Sequence, residues 1–150
     1  MSRAPQTIDL GACLALEKLL ADLPPSMNRS SQWLRAHSKR GASFKSSDAT
    51  GKWCIPATAD DVDEGWGRIK KLLKRGKLLY AKVSTAAGRA RSGHENFVII
   101  AYTADWSNRD DVNRVREVLR QAGFAKTLGY KRDLETVYPN EAFEFIYPDF

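Results

Sequence analysis

The chain has 150 residues, 43% of them hydrophobic and 28% charged, and a formal net charge of +6. That length can bury a full core in one domain, while its two cysteines, Cys13 and Cys54, exclude a disulfide framework and a cysteine-based zinc site. No apolar run reaches the ~20 residues of a membrane span and the N-terminus has no secretory pattern, so a cytoplasmic protein with buried free thiols and no membrane partner is expected.

The charge is unevenly spread. Residues 29–91 hold 15 Lys/Arg against 5 Asp/Glu, and the remaining residues hold 9 against 13. The cationic middle region suits an anionic partner, and charge alone does not separate RNA from a nucleotide, a phosphopeptide or a membrane surface.

Taken in order, residues 7–23 read as a helix capped by Thr7, with Ile8, Cys13, Leu16, Leu19, Leu20 and Leu23 near one face and Pro24-Pro25 as its stop. Residues 26–50 are polar and basic, a functional loop or a segment hiding a short element, anchored by Trp33-Leu34. Trp53-Cys54-Ile55 opens a strand that Pro56 ends. Asp60 or Asp61 caps a helix whose Val62, Trp66, Ile69 and Leu73 form a core stripe, and Gly76 stops it. Its Arg68, Lys70, Lys71, Lys74 and Arg75 fall on the opposite, solvated face.

Leu78–Thr85 alternates as a strand, Ala86–His94 reads as a flexible glycine-arginine loop, and Phe97–Thr103 is a strong strand. Ser107 with Asp110 opens a helix with the stripe Val112, Val115 and Leu119, closed by Gly123. Short strands follow at 127–131 and 143–147. The expected fold class is α+β: a single curved, mainly antiparallel sheet with helices packed on one face. In domain terms, residues 1–25 form an N-terminal helix and 26–150 a single α+β domain that includes the basic segment 26–50.

The candidate sites are cationic. Gly88 and Gly93 let a backbone approach an anion, and Arg89 and Arg91 offer forked donors to phosphate oxygens; the alternative is an ordinary exposed turn. Lys82 and Ser84 share one strand face with Tyr80, lining either a ligand or solvent. Lys131 and Arg132 form a second cluster near a strand end, and Lys52 sits beside Trp53. Trp53 and Trp66 belong to the core, whereas Trp33 and Trp106 stand at loop positions from which an indole can stack on a base or pack as a lid. No catalytic triad, P-loop or dinucleotide glycine pattern occurs, and His37 and His94 have no ligand-like spacing, so no catalytic residue, metal or cofactor is assigned.

In order, Gly51-Lys52-Trp53-Cys54-Ile55, Trp66, Gly76-Lys77-Leu78, Lys82-Val83-Ser84-Thr85, Tyr102-Thr103-Ala104-Asp105-Trp106 and Tyr130-Lys131-Arg132-Asp133 with Thr136 form a recognisable series. Over roughly residues 30–140 the chain resembles the family of the basophilic-leukaemia-expressed protein, whose fold is that of eukaryotic translation initiation factor 4E. The resemblance implies a ligand cleft on the concave side of a curved sheet, with Arg89 and Arg91 where phosphate-binding cations occur. The cap-binding pair of loop tryptophans has no clean counterpart: Trp33 precedes Trp53, but no tryptophan there is followed by an acidic residue. The expectation is a non-enzymatic module binding RNA or a phosphorylated nucleotide through Lys52, Lys82, Ser84, Arg89, Arg91, Lys131 and Arg132, with Trp33 or Trp106 stacking. The alternatives are a phosphothreonine-lyase-like enzyme with Lys82 as base, and a protein-interaction module using residues 26–50.

Overall fold

The computed structural model describes residues 9–134 and 147–148. Six strands form one sheet in the order β1-β3-β4-β2-β5-β6, every neighbouring pair antiparallel. They are β1 (Trp33–His37), β2 (Gly51–Ala57), β3 (Tyr80–Ser84), β4 (Phe97–Thr103), β5 (Gly129–Arg132) and β6 (Tyr147–Pro148). The helices are α1 (Leu10–Ala21), α2 (Val62–Lys74), α3 (Ala86–Ser92) and α4 (Arg109–Gln121).

Period-two alternation divides the sheet into two faces. Trp53 and Ile55, Ala81 and Val83, Phe97, Ile99 and Ala101, and Tyr130 point to one side, where α2 adds Val62, Trp66, Ile69 and Leu73 and α4 adds Val112, Val115 and Leu119. The expected stripes of both helices are therefore the core, and the basic residues of α2 are exposed. Two buried polar groups lock this layer. The Trp53 Nε1 donates to the Val112 carbonyl at 3.1 Å, and the fully buried Arg116 donates to the carbonyls of Phe124 and Lys126, each at 2.9 Å. A buried guanidinium tolerates its loss of water only because carbonyl oxygens replace it.

Several boundaries differ from those the sequence suggests. Pro56 does not end β2, which runs to Ala57. Pro56 is opposite Val98, whose N–H turns toward β3 and donates to the Ser84 Oγ at 2.9 Å. The missing N–H of Pro56 thus falls on the β5 side, where pairing has already stopped at Cys54↔Gly129. Helix α4 is capped by Asn108, which accepts from the Asp111 N–H, while the Ser107 hydroxyl turns back to Asp105. Helix α1 starts at Leu10 under an Asp9 cap, and the Thr7 cap lies outside the described residues. None of its residues is buried, so its leucines do not join the core. Of the two thiols expected to be buried, Cys13 is exposed and Cys54 is partly buried. Of the strand expected at 143–147, only Tyr147 lies among the described residues.

Residues 86–94 are not a loop. Thr85 caps a short helix by accepting from the Gly88 N–H at 3.1 Å, and Gly93 ends it in the left-handed conformation at φ 73°. Segment 25–32 is stitched to this helix: Ala86 N–H donates to the Pro25 carbonyl, Ala87 N–H to Asn28 and Thr85 N–H to Gln32. A Cβ at Gly88 would lie 2.3 Å from the Gln32 carbonyl oxygen, so the glycine serves this close approach rather than an anion. Gly88→Ala is expected to destabilise the fold by about 1–3 kcal/mol through overpacking, outweighing the ~1 kcal/mol that helix propensity offers. Gly67→Ala in α2, with nothing within 4 Å of its Cβ, should stabilise by about 0.5–1 kcal/mol. Thermal unfolding of the two variants checks the opposite signs.

Candidate anion-binding face

The sheet face turned away from α2 and α4 carries the residues of the other parity. These are Trp33, Arg35 and His37 on β1, Tyr80, Lys82 and Ser84 on β3, Ile100 and Tyr102 on β4, Lys52 and Cys54 on β2, and Lys131 on β5. The expected polar segment 26–50 supplies its edge: it contains strand β1, paired with β3 from Trp33↔Ser84 to His37↔Tyr80. Trp33 is accordingly a strand residue, not a loop one.

One end of this face is closed. Phe44 stacks on Tyr80 and Tyr102, with ring centroids 5.0 and 5.5 Å apart. Beside them the Lys52 Nζ donates to the Asp133 Oδ1 at 2.7 Å, with Lys52 only 1% exposed. The Ser46 hydroxyl donates to the other Asp133 oxygen. Burial alone would raise the Asp133 carboxyl, but the hydrogen bonds from Lys52 and Ser46 and the Lys52 charge outweigh it and hold it below the ordinary aspartate value. Burial and the Asp133 charge push the Tyr102 phenol well above its usual range, and burial raises the Cys54 thiol against the pull of Lys131 and Lys52.

The other end is open and cationic. A groove of about 690 Å³ is lined by Arg29, Ser30, Ser31, Gln32, Trp33, Arg35, Ala87 and Arg91, and among these lining residues none is acidic. Two long-range pairings build it. The stitching of segment 25–32 to α3 brings Arg29 and Arg91 to one groove, and the β1–β3 register places Arg35 opposite Lys82. Lys82 lies over the Trp33 ring, its Nζ 4.1 Å from the centroid. Burial and the neighbouring charges of Lys52 and Arg35 lower its ammonium to about 8.

The structure brings some of the candidates together and separates others. Arg91 and Trp33 line the groove together with Arg29 and Arg35, which composition did not single out, and Lys82 lies beside it over the Trp33 ring. The alternation Trp33-Leu34-Arg35-Ala36-His37 is the sequence signal that would have found Arg35. Arg89 lies instead over the Phe97 ring at 4.4 Å and donates to the Glu95 carbonyl. Ser84 accepts the Val98 N–H that the shortened β3–β4 ladder leaves unpaired. Lys52 is sealed in its ion pair, and Lys131 shares its face. Arg132 has the opposite parity and lies over Trp106 at 5.4 Å. Trp106 packs against the core, and its backbone N–H donates to the Ala49 carbonyl. The Trp33 row of the sheet is about 13 Å, four strand residues, from the Tyr80–Tyr102–Lys52 row beyond which Trp106 stands. The two indoles cannot enclose one base.

A second cavity, about 440 Å³, lies on the helix side between Ile55, Gly65, Ile99, Phe124 and Leu128. Among the described residues no helix is long and apolar enough to cross a membrane.

The architecture is that of translation initiation factor 4E. The chain superposes on C. elegans eIF4E-3, solved in complex with the 4E-binding protein Mextli and a cap analog, with a TM-score of 0.62 at 10% identity, over 97% of this chain and 91% of that one. Against Ascaris suum eIF4E-3, solved with an m2,2,7G cap, the TM-score is 0.53 at 10% identity, over 99% and 90%. At such identity the likeness is one of fold. The sequence itself goes further: the family described as basophilic leukemia-expressed protein Bles03 matches residues 42–146, a span that holds β2 to β5 and the buried Lys52–Asp133 pair, and the chain belongs to that family.

Proposed function

We propose that the chain is a binding module that holds a phosphate-bearing nucleotide or RNA end on the open sheet face, with the phosphates at Arg29, Arg35, Arg91 and Lys82 and the base beside Trp33. One observation carries this reading: three arginines from separate segments converge on one groove with an aromatic wall and no acidic residue among those lining it. Guanidinium forks suit phosphate oxygens. The eIF4E-3 proteins of the same fold were solved with cap ligands, which supports a nucleotide on such a scaffold.

The test is a salt titration of a 5′-phosphorylated oligonucleotide. Each lost phosphate contact should lower the slope of log K against log salt by about 0.7, so Arg91→Ala should flatten the plot while Arg89→Ala leaves it unchanged. Absence of binding at low salt, or equal slopes for wild type and Arg91→Ala, removes the reading.

Lys82 supports a second reading, an enzyme acting on a phosphorylated substrate. An amine lowered to about 8 is partly neutral at neutral pH and can take a proton. Incubation with a phosphothreonine peptide decides it by mass spectrometry: a lyase removes phosphoric acid and loses that activity in Lys82→Ala, whereas a binding module leaves the mass unchanged.

A further inference from the structure

We propose that the Trp33–Lys82 pair is a charge filter, which admits nucleotides with an uncharged base and rejects those whose base is cationic, such as an N7-methylated guanine. The inference rests on the phosphate reading above and specifies its ligand. An indole face attracts cations through its quadrupole, but here that attraction is already satisfied by the protein's own ammonium, 4.1 Å from the ring centroid. The charged groups around it add repulsion. Arg35 on β1 is opposite Lys82, and Arg29 and Arg91 line the same groove. Lys52 on β2 acts on Lys82 as a further like charge. Asp133 is the acidic group that acts on Lys82, and both of its oxygens accept hydrogen bonds, from Lys52 and Ser46. A second indole to sandwich a cationic base is not within reach, because Trp106 stands beyond the opposite end of the sheet and has Arg132 over its ring. A fixed positive charge on the base therefore meets like charge, beside a ring whose quadrupole already holds the Lys82 ammonium. An uncharged purine stacks without that cost, and its phosphates enter the arginine groove.

The experiment compares three probes on the intact chain: inorganic tripolyphosphate, GTP and N7-methyl-GTP, read by calorimetry at low salt. The expected result is binding of all three, with GTP at least about fivefold tighter than its methylated form, the size of one like-charge contact in a half-solvated site. In Lys82→Met, which keeps a side chain over Trp33 without the charge, the ratio should fall toward one. Lys82→Gln provides the same readout should the methionine variant fold poorly. Equal or tighter binding of N7-methyl-GTP by the wild type, with tripolyphosphate still bound, overturns the filter alone. A GTP preference that persists unchanged in both variants overturns it as well. Failure of tripolyphosphate, GTP and N7-methyl-GTP alike to bind overturns the phosphate reading and the filter with it.

Discussion

Asp133→Ala is expected to cost about 3–5 kcal/mol of stability, the range for removing one member of a buried ion pair. The Lys52 ammonium is 1% exposed and sits 2.7 Å from the carboxylate. Without that carboxylate, a charge taken out of water loses its counterion, and the Ser46 hydroxyl loses its acceptor. The pair also ties two distant parts of the chain, since the Asp133 N–H donates to the Thr50 carbonyl at 2.8 Å. Urea unfolding should show the midpoint lowered by roughly 2 M, from a slope of about 1–3 kcal/mol per molar. The double variant Lys52→Met/Asp133→Ala should recover most of the loss, because no charge then remains to be desolvated. A single-variant cost below about 1 kcal/mol would mean that water reaches the pair. The pH sign follows from the depressed Asp133 carboxyl: its stabilisation is present above the unfolded-state value near 4 and is lost as pH falls through the lower folded-state value. Asp133→Asn should therefore remove part of the acid limb of the stability profile.

The triple variant Arg29→Ala/Arg35→Ala/Arg91→Ala is expected to weaken binding of a 5′-phosphorylated oligonucleotide at low salt by about a hundredfold or more. Hydrogen bonds to charged groups contribute roughly 1.5–3 kcal/mol each, and solvent screening reduces that at an open groove. All three side chains are exposed, so folding should be untouched and the circular dichroism spectrum unchanged. The same site predicts a pH dependence. Lys82 titrates at about 8 in the free protein; a bound phosphate favours the charged amine and raises that value. Binding then takes up protons between roughly pH 7 and 9, and affinity falls as pH rises through this window. Fluorescence polarisation across it should give a declining curve for the wild type and a flat one for Lys82→Met. A flat wild-type curve would separate Lys82 from the phosphate.

Short-range periodicity encodes the elements that can be read residue by residue. Phe97–Thr103 is a strand with the expected ends because alternation and β-branched residues act within seven positions. The stripes of α2 and α4 and the stops at Gly76 and Gly123 are equally local, a 3.6-residue period and a left-handed glycine. The family resemblance added the fold, from motifs whose order survives even where the paired residues are far apart. What remained hidden depends on pairings remote in the chain. Strand β1 lies in a polar, basic stretch and becomes a strand because β3 offers it an edge nearly fifty residues later. Helix α3 reads as a glycine-rich loop until segment 25–32 supplies carbonyls for its first amides. Helix α1 carries a row of leucines, yet no element among the described residues covers it. The site followed the same division. Lys82, Arg91 and Trp33 could be named from residue type, but only the β1–β3 register and the 25–32 docking joined them to Arg29 and Arg35. The same topology drew Arg89 to Phe97 and Trp106 to Arg132. Local sequence specifies which residues are cationic and which are apolar; long-range pairing decides which of them share a face, and that sharing is what makes the cationic groove.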